Sequence, residues 1–278
     1  MTVALRWPRF ARTWSGAIGL GLLGAITLFA VVGPLFAPYA YDAPLGLPGS
    51  PPGHGSVLGT DFIGRDVLSR VLDGGLSVLW IAGTATLLIY VVGITVGLVA
   101  GYSRSLVDAM LMRTVDFVLS FPAMLLLLLL VTGAGTGIGV DIFGVVLVLF
   151  PGVARIVRTA TLEVAGRGYV EAAVARGERT PAILLWEILP NIVSPIMADV
   201  GIRFAAAIIF IASLNFLGLG LQPPAANWGL MISENRPILT SNPWPVLVPA
   251  ALLGLLTVAV NLVADAYART AGRSARRG

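Results

Sequence analysis

The side chains able to do chemistry in this chain are few. Its 278 residues carry 14 carboxylates, 18 arginines, a single histidine, no lysine and no cysteine. That stock leaves a thiol nucleophile, a disulfide framework and a zinc cluster without their groups. The lysine that grips phosphates in a P-loop is missing too, so ATP hydrolysis by that route is not expected here. His54 stands in a Pro/Gly-rich stretch without partners and reads as a loop residue, not a metal ligand. What remains is charge in unusual places. Asp199 and Arg203 lie four apart inside an apolar run, and Glu171, Arg176, Glu178, Arg179 and Glu187 crowd into 169–191, YVEAAVARGERTPAILLWEILPN.

The elements that must position these charges are membrane helices. The chain is 57% hydrophobic and only 12% charged, with mean hydropathy +0.91. Several apolar runs exceed the roughly 18 residues that a spanning helix needs. The reading is an all-α polytopic membrane protein with six transmembrane helices: Ser15–Ala37, Gly75–Ala100, Val107–Thr132, Ile138–Val157, Ile192–Leu217 and Val246–Tyr267. The start is basic, but the apolar stretch behind it is too long for a signal-peptide core and reads as a retained first helix. The net charge of +4 and pI near 10 report topology, and no nucleic-acid partner is inferred from them.

With the N-terminus in the cytoplasm, fourteen arginines fall inside and three (Arg65, Arg70, Arg236) outside, leaving Arg203 within the fifth span. Basic residues favour the cytoplasmic side, so both termini and the 158–191 segment are expected there. On the outside, a Pro/Gly-rich loop ends in a stretch where Val67, Leu68, Val71 and Leu72 share a helical face, which suits a short helix in the interface plane. The chain divides into a tail, first helix and external loop (1–74), a five-helix core with the cytoplasmic loop (75–268), and a basic cytoplasmic tail (269–278).

Within the spans, GLGLLG (Gly19 to Gly24) matches a dinucleotide fingerprint by letter only, because no strand precedes it and the helix is apolar. Gly93, Gly97 and Gly101 repeat every four residues, a pattern that lets two helix backbones approach closely. Either a neighbouring helix of this chain or another subunit would suit it. Asp199 precedes Arg203 at the favourable i, i+4 spacing. Charges at this depth are functional candidates by default, but a structural pair in the cytoplasmic half of the span is the favoured reading. Arg113 and Asp116 read the same way. Pro122 and Pro151 are expected to kink spans three and four.

The 169–191 segment reads as helix, turn, helix. YVEAAVA favours helix, Gly177 suits a C-terminal cap, Thr180 an N-cap, Pro181 the first helical position, and Pro190 and Pro195 the return to the membrane. Small residues at Ala172, Ala173 and Gly177 permit tight contact, so the segment reads as a docking surface for a soluble partner.

These residues resemble a family. Glu171-Ala172-Ala173, Gly177 and Leu189-Pro190 look like the EAA loop of bacterial binding-protein-dependent ABC importer permeases. LGTDFIGRDVLSR (58–70), LMRTVDFVLSFPAMLL (111–126), LNFLGLGLQPP (214–224) and NLVAD (261–265) resemble the second permease subunit of dipeptide, oligopeptide and nickel importers. The resemblance implies a type I importer permease in the bacterial cytoplasmic membrane. It implies a homologous permease as heterodimer partner, two ABC ATPases that bind ATP and Mg, and an extracytoplasmic substrate-binding protein. This chain would hold no cofactor and would be no enzyme. Glu171, Ala172, Ala173, Gly177, Leu189 and Pro190 would form the ATPase-coupling loop. The chain departs from the pattern at Glu187, where the general motif has isoleucine, and at Ile211, Asn215 and the tail after Asp265. The competing classes are an ion-coupled secondary transporter, which would show internal repeats and acids at the midplane, a membrane enzyme and a channel. The six spans show no repeat and their acids cluster towards the ends, one loop histidine without cysteine supplies no nucleophile–base or metal set, and a channel would leave the charged hairpin unexplained.

Overall fold

The computed structural model describes residues 13–53, 55–103 and 105–275, with side chains to residue 270. His54, Arg104 and the terminal arginines Arg6, Arg9, Arg12, Arg276 and Arg277 lie outside the described residues. Among the described residues nine helices carry the architecture: α1 Trp14–Val32, α2 Val67–Ser103, α3 Leu106–Leu119, α4 Ala123–Ala134, α5 Ile138–Ala165, α6 Gly168–Ala175, α7 Val193–Phe216, α8 Trp228–Asn235 and α9 Trp244–Ala275. Shorter 3-10, π and single-turn pieces join them. Five stretches are long and apolar enough to cross a membrane, and α3 with α4 makes a sixth only as a bent pair.

The core is the pairing of α2 with α5. Its cause is the glycine ladder. A Cβ at Gly93 would lie 2.7 Å from Val153 Cβ, at Gly97 2.6 Å from Val157 Cβ, and at Gly101 2.7 Å from Thr161 Cβ. The ladder on α2 therefore meets a row on α5 with the same four-residue step, within one chain. In lipid no hydrophobic force drives helices together, so close van der Waals contact of this kind does the holding. The fingerprint-like glycines of α1 serve packing as well: Gly19 is pressed against Leu262 and Val263 of α9.

Three expectations are corrected. The apolar face at 67–72 is not a separate interfacial helix; it is the start of α2, and Val67 and Val71 are buried. At 37 residues α2 is about 55 Å long, far more than the roughly 30 Å hydrocarbon core. Nothing stops it at Gly74 and Gly75, because these glycines pass beneath the Trp228 ring of α8. The boundary drawn between residues 74 and 75 thus falls within one helix.

The third apolar run is not one continuous helix but a broken pair, which makes the sixth span when counted together. Its two helices are bent by 89° across 120–122. Pro122 offers no N–H and forces Phe121 out of helical geometry, and Ser120 closes α3 by turning its hydroxyl back to the Phe117 carbonyl at 2.7 Å. Pro151, by contrast, stays inside an unbroken α5. That helix is the most enclosed of the spans, so its neighbours hold it through the lost hydrogen bond.

The third correction concerns Asp116, which pairs with Arg155 of α5 at 2.6 Å and not with Arg113. One helical turn away, Arg158 grips Asp108 with two hydrogen bonds of 2.6 and 2.7 Å. α3 is therefore tethered to α5 by charge.

A Gly97→Leu substitution is expected to cost about 1–3 kcal/mol through overpacking, lowering the thermal midpoint of the purified protein. Gly83→Leu, where a Cβ meets nothing within 4 Å, is expected to leave it nearly unchanged.

Candidate functional site

The hairpin that follows α5 is built by packing on one side and a glycine turn at the tip. Val170 and Ala173 of α6 are buried against Ile183, Ile188 and Ile192 of the returning arm. Ala173 is small because the two arms meet there. Glu171 and Ala172, on the other side of α6, are exposed.

The helix then ends in a two-bond cap. Gly177 N–H donates to the Val174 carbonyl at 2.9 Å and Glu178 N–H to the Ala173 carbonyl at 3.2 Å. This Schellman arrangement needs a left-handed residue, and Gly177 supplies it with φ +75°. Around Gly177 lies open space. Arg176 braces the tip, reaching Glu178 at 2.6 Å and Glu187 of the returning arm at 3.7 Å.

The returning arm differs from the sequence reading in two details. Arg179 occupies the N-cap, with no side-chain bond, which places Thr180 and Pro181 in the first turn. After one α-turn the arm is a π-helix over Ile183–Ile188, then a 3-10 turn over Leu189–Asn191 that contains Pro190. Pro190 lacks the N–H that a regular ladder would use. The wider turn leaves Leu185 52% and Trp186 75% exposed, an apolar face on an otherwise polar hairpin. Tyr169 sits at its base, and its buried hydroxyl has no hydrogen-bond partner among the described residues. Burial pushes its pKa up, Arg167 opposes the shift and Glu187 adds to it.

Within the bundle the Asp199–Arg203 pair forms at 2.9 Å through the arginine Nε. Two more elements join it, neither of which the sequence reading named. Tyr90 of α2 donates its hydroxyl to the same Asp199 oxygen at 2.8 Å, and the Arg203 guanidinium is pressed against Gly152 of α5. The only sequence signal was the Pro151-Gly152 step inside an apolar run.

At the opposite end of the bundle from the hairpin, a buried ionic cluster ties the 37–66 loop to α8. Arg65 meets Asp61 at 2.6 Å and Glu234 at 3.1 Å; Arg70, fully buried, meets Glu234 at 2.9 Å and Asp61 at 3.6 Å. Arg70 also donates to the Ala225 carbonyl at 3.2 Å. Asn242 gathers the carbonyls of Ser50, Leu58 and Thr60, each at 3.1 Å. Burial outweighs the two arginines at Glu234 and holds its carboxyl above the ordinary range. The charge density of 61–70 was visible in sequence, but its partner 164 residues away from Arg70 was not.

A membrane bundle with a capped, outward-facing hairpin at one end can be compared with known proteins. Residues 93–276 match the family described as binding-protein-dependent transport system inner membrane component. Residues 3–50 match the N-terminal TM domain of oligopeptide transport permease C. The chain belongs to the binding-protein-dependent transport permeases. It is 33% identical to the peptide transport system permease protein SapC of Escherichia coli over 96% of this chain and 93% of that one. It is 32% identical to the dipeptide transport system permease protein DppC of Bacillus subtilis over 93% and 82%, and 31% identical to the di/tripeptide transport system permease protein DppC of Pseudomonas aeruginosa over 93% and 88%. A chain from the MetNI methionine ABC transporter, solved in inward-facing conformations, shares the fold with a TM-score of 0.60 at 19% identity, covering 73% of this chain and 96% of that one. Of the residues named for the loop, Glu171, Ala172 and Gly177 are exposed on the hairpin, Leu189 and Pro190 are half-buried and Ala173 is buried between its arms.

Removing one member of the buried cluster strands the others. Glu234→Ala in this permease is expected to cost about 3–5 kcal/mol, because two buried guanidinium groups lose their shared carboxylate. A thermal melt of the purified protein checks the size of the loss, and a shift of a degree or less would show that the cluster contributes little.

Proposed function

We propose that this ABC importer permease is the second of two permease subunits and moves di- or oligopeptides, or a similar small polar solute, into the cytoplasm. Its partners are a homologous permease, two ABC ATPases that bind ATP and Mg, and an extracytoplasmic binding protein. The hairpin at 166–191 is the handle that the ATPases grip from the cytosol, which puts both termini inside and the 37–66 loop outside. The observation that carries this reading is the hairpin itself. Its inner face is packed on the bundle, its tip is locked by the Gly177 cap, and its outer face displays Glu171, Ala172, Leu185 and Trp186 with nothing among the described residues to cover them.

A rigid element of this kind transmits force. The arms are joined by buried isoleucines and the 3-10 turn leads directly into α7, so displacement of the tip moves the end of a membrane helix. Peptide as the substrate class is supported by what the relatives' names state.

Nucleotide dependence tests the reading. Uptake of dipeptides into proteoliposomes that contain the permease pair, both ATPases and the binding protein is expected only with ATP. Uptake by this chain alone, driven by an ion gradient, would mark a secondary transporter instead.

Gly177→Arg separates coupling from folding. No atom lies within 4 Å of a Cβ at that position, so the chain is expected to insert normally. The added bulk and the disfavoured φ of +75° fall on the docking surface. ATPase activity is expected to persist while uptake is lost, and uptake at the wild-type rate would remove the docking role.

A further inference from the structure

We infer that Arg203, lying on Gly152 beside Asp199, is a membrane-embedded binding site for a carboxylate, and that the terminal carboxylate of a transported peptide is its ligand. This rests on the peptide-importer reading above.

The hydrogen-bond inventory of the guanidinium is the first argument. Arginine has five N–H donors set in a planar fork. Arg203 uses Nε on Asp199, and no hydrogen bond from Nη1 or Nη2 is found among the described residues. Arg158, by comparison, presents its fork to Asp108 with two bonds. Asp199 instead divides one oxygen between Arg203 and the Tyr90 hydroxyl. The outer edge of the fork is left over, and unsatisfied donors at membrane depth are costly.

The second argument is the surface beneath it. A Cβ at 152 would clash with Nη2 and lie 2.7 Å from Nη1, so glycine is what lets the guanidinium sit this close to α5. Gly152 follows Pro151, at the one place in α5 where a backbone N–H is missing.

The third is what lies next to the fork. One turn further along α5, towards the hairpin, Arg155, Ile156, Thr159, Ala160 and Glu163 line an open groove with Pro195 of α7. The groove is shallow and open to its surroundings, with a volume of about 400 Å³. Arg155, Thr159 and Glu163 make this a polar strip in an apolar bundle, leading from Arg203 to the end where the hairpin emerges. A zwitterionic peptide on this route meets a fixed cation at its head.

The experiment uses the complete transporter with its binding protein in proteoliposomes, and radiolabelled alanylalanine as probe. ATP-driven uptake by the unaltered transporter is read first, and its absence would overturn the peptide reading and this ligand with it. Where uptake is present, Arg203→Gln is expected to lower it about tenfold, as loss of a charge-assisted hydrogen-bond pair implies, with ATPase activity retained. The double variant Asp199→Asn/Arg203→Gln leaves no lone charge behind. Uptake as low as in the single variant supports the site, whereas recovery to the wild-type rate makes the pair merely structural and overturns it. Gly152→Ala alters no charge and lifts the guanidinium from α5. Reduced uptake there supports the site even if the charge variants fail to assemble, and an unchanged rate overturns it.

Discussion

The close approach of α2 and α5 is the constraint on which the rest of this permease depends. Three glycines spaced by four face Val153, Val157 and Thr161 at the same spacing, so the two backbones meet along three turns. Lipid surrounds such helices with groups as apolar as their own side chains, and contact density takes over the role that water-driven burial plays elsewhere. The consequences spread outward from that seam. Tyr90 on α2 and Gly152 on α5 are both brought to the α7 pair, the first to Asp199 and the second to Arg203. The α5 helix continues unbroken through Pro151, and its far end delivers the hairpin.

Charge is distributed around that seam in three distinct ways. Near the hairpin end, Arg155 and Arg158 hold α3 beside α5 through Asp116 and Asp108, with partly exposed partners. At the loop end, Asp61, Arg65, Arg70 and Glu234 are nearly free of solvent, so desolvation must be offset by mutual neutralisation and by hydrogen bonds to backbone carbonyls. The two outer segments thereby become one body. On the hairpin the charges Glu171 and Arg179 are left in the open. An exposed surface can carry them there at little cost to the fold.

Backbone irregularity follows the same logic. Where the chain leaves regular helix, it does so at the hairpin, at the loop end or at the α3–α4 break, where side chains or turns take up the freed groups. Asn215 shows how: at the end of α7 its Oδ1 accepts the Leu221 N–H at 2.7 Å, closing the turn that contains Gly218 and Gly220. The difference between Pro122 and Pro151 is one of surroundings. The first sits at the edge of a weakly buried pair of helices, the second in the centre of the bundle.

Much of this was legible in the linear chain. Apolar length set the number and place of the spans, arginine counts set an expected orientation, and the small-residue and cap pattern at Ala172, Ala173 and Gly177 marked a helical hairpin with a glycine turn. These are local or compositional properties, readable because a helix in lipid must satisfy its own backbone within a short stretch of residues. The partner of each long-range contact was not legible. That the glycine ladder faces α5, that Asp116 chooses Arg155 over Arg113, that 67–72 continues α2, and that Arg203 rests on Gly152 all depend on how helices distant in sequence are rotated and tilted against each other. Only the packed bundle decides that rotation, because it is set by the sum of many small contacts and not by any one residue's preference.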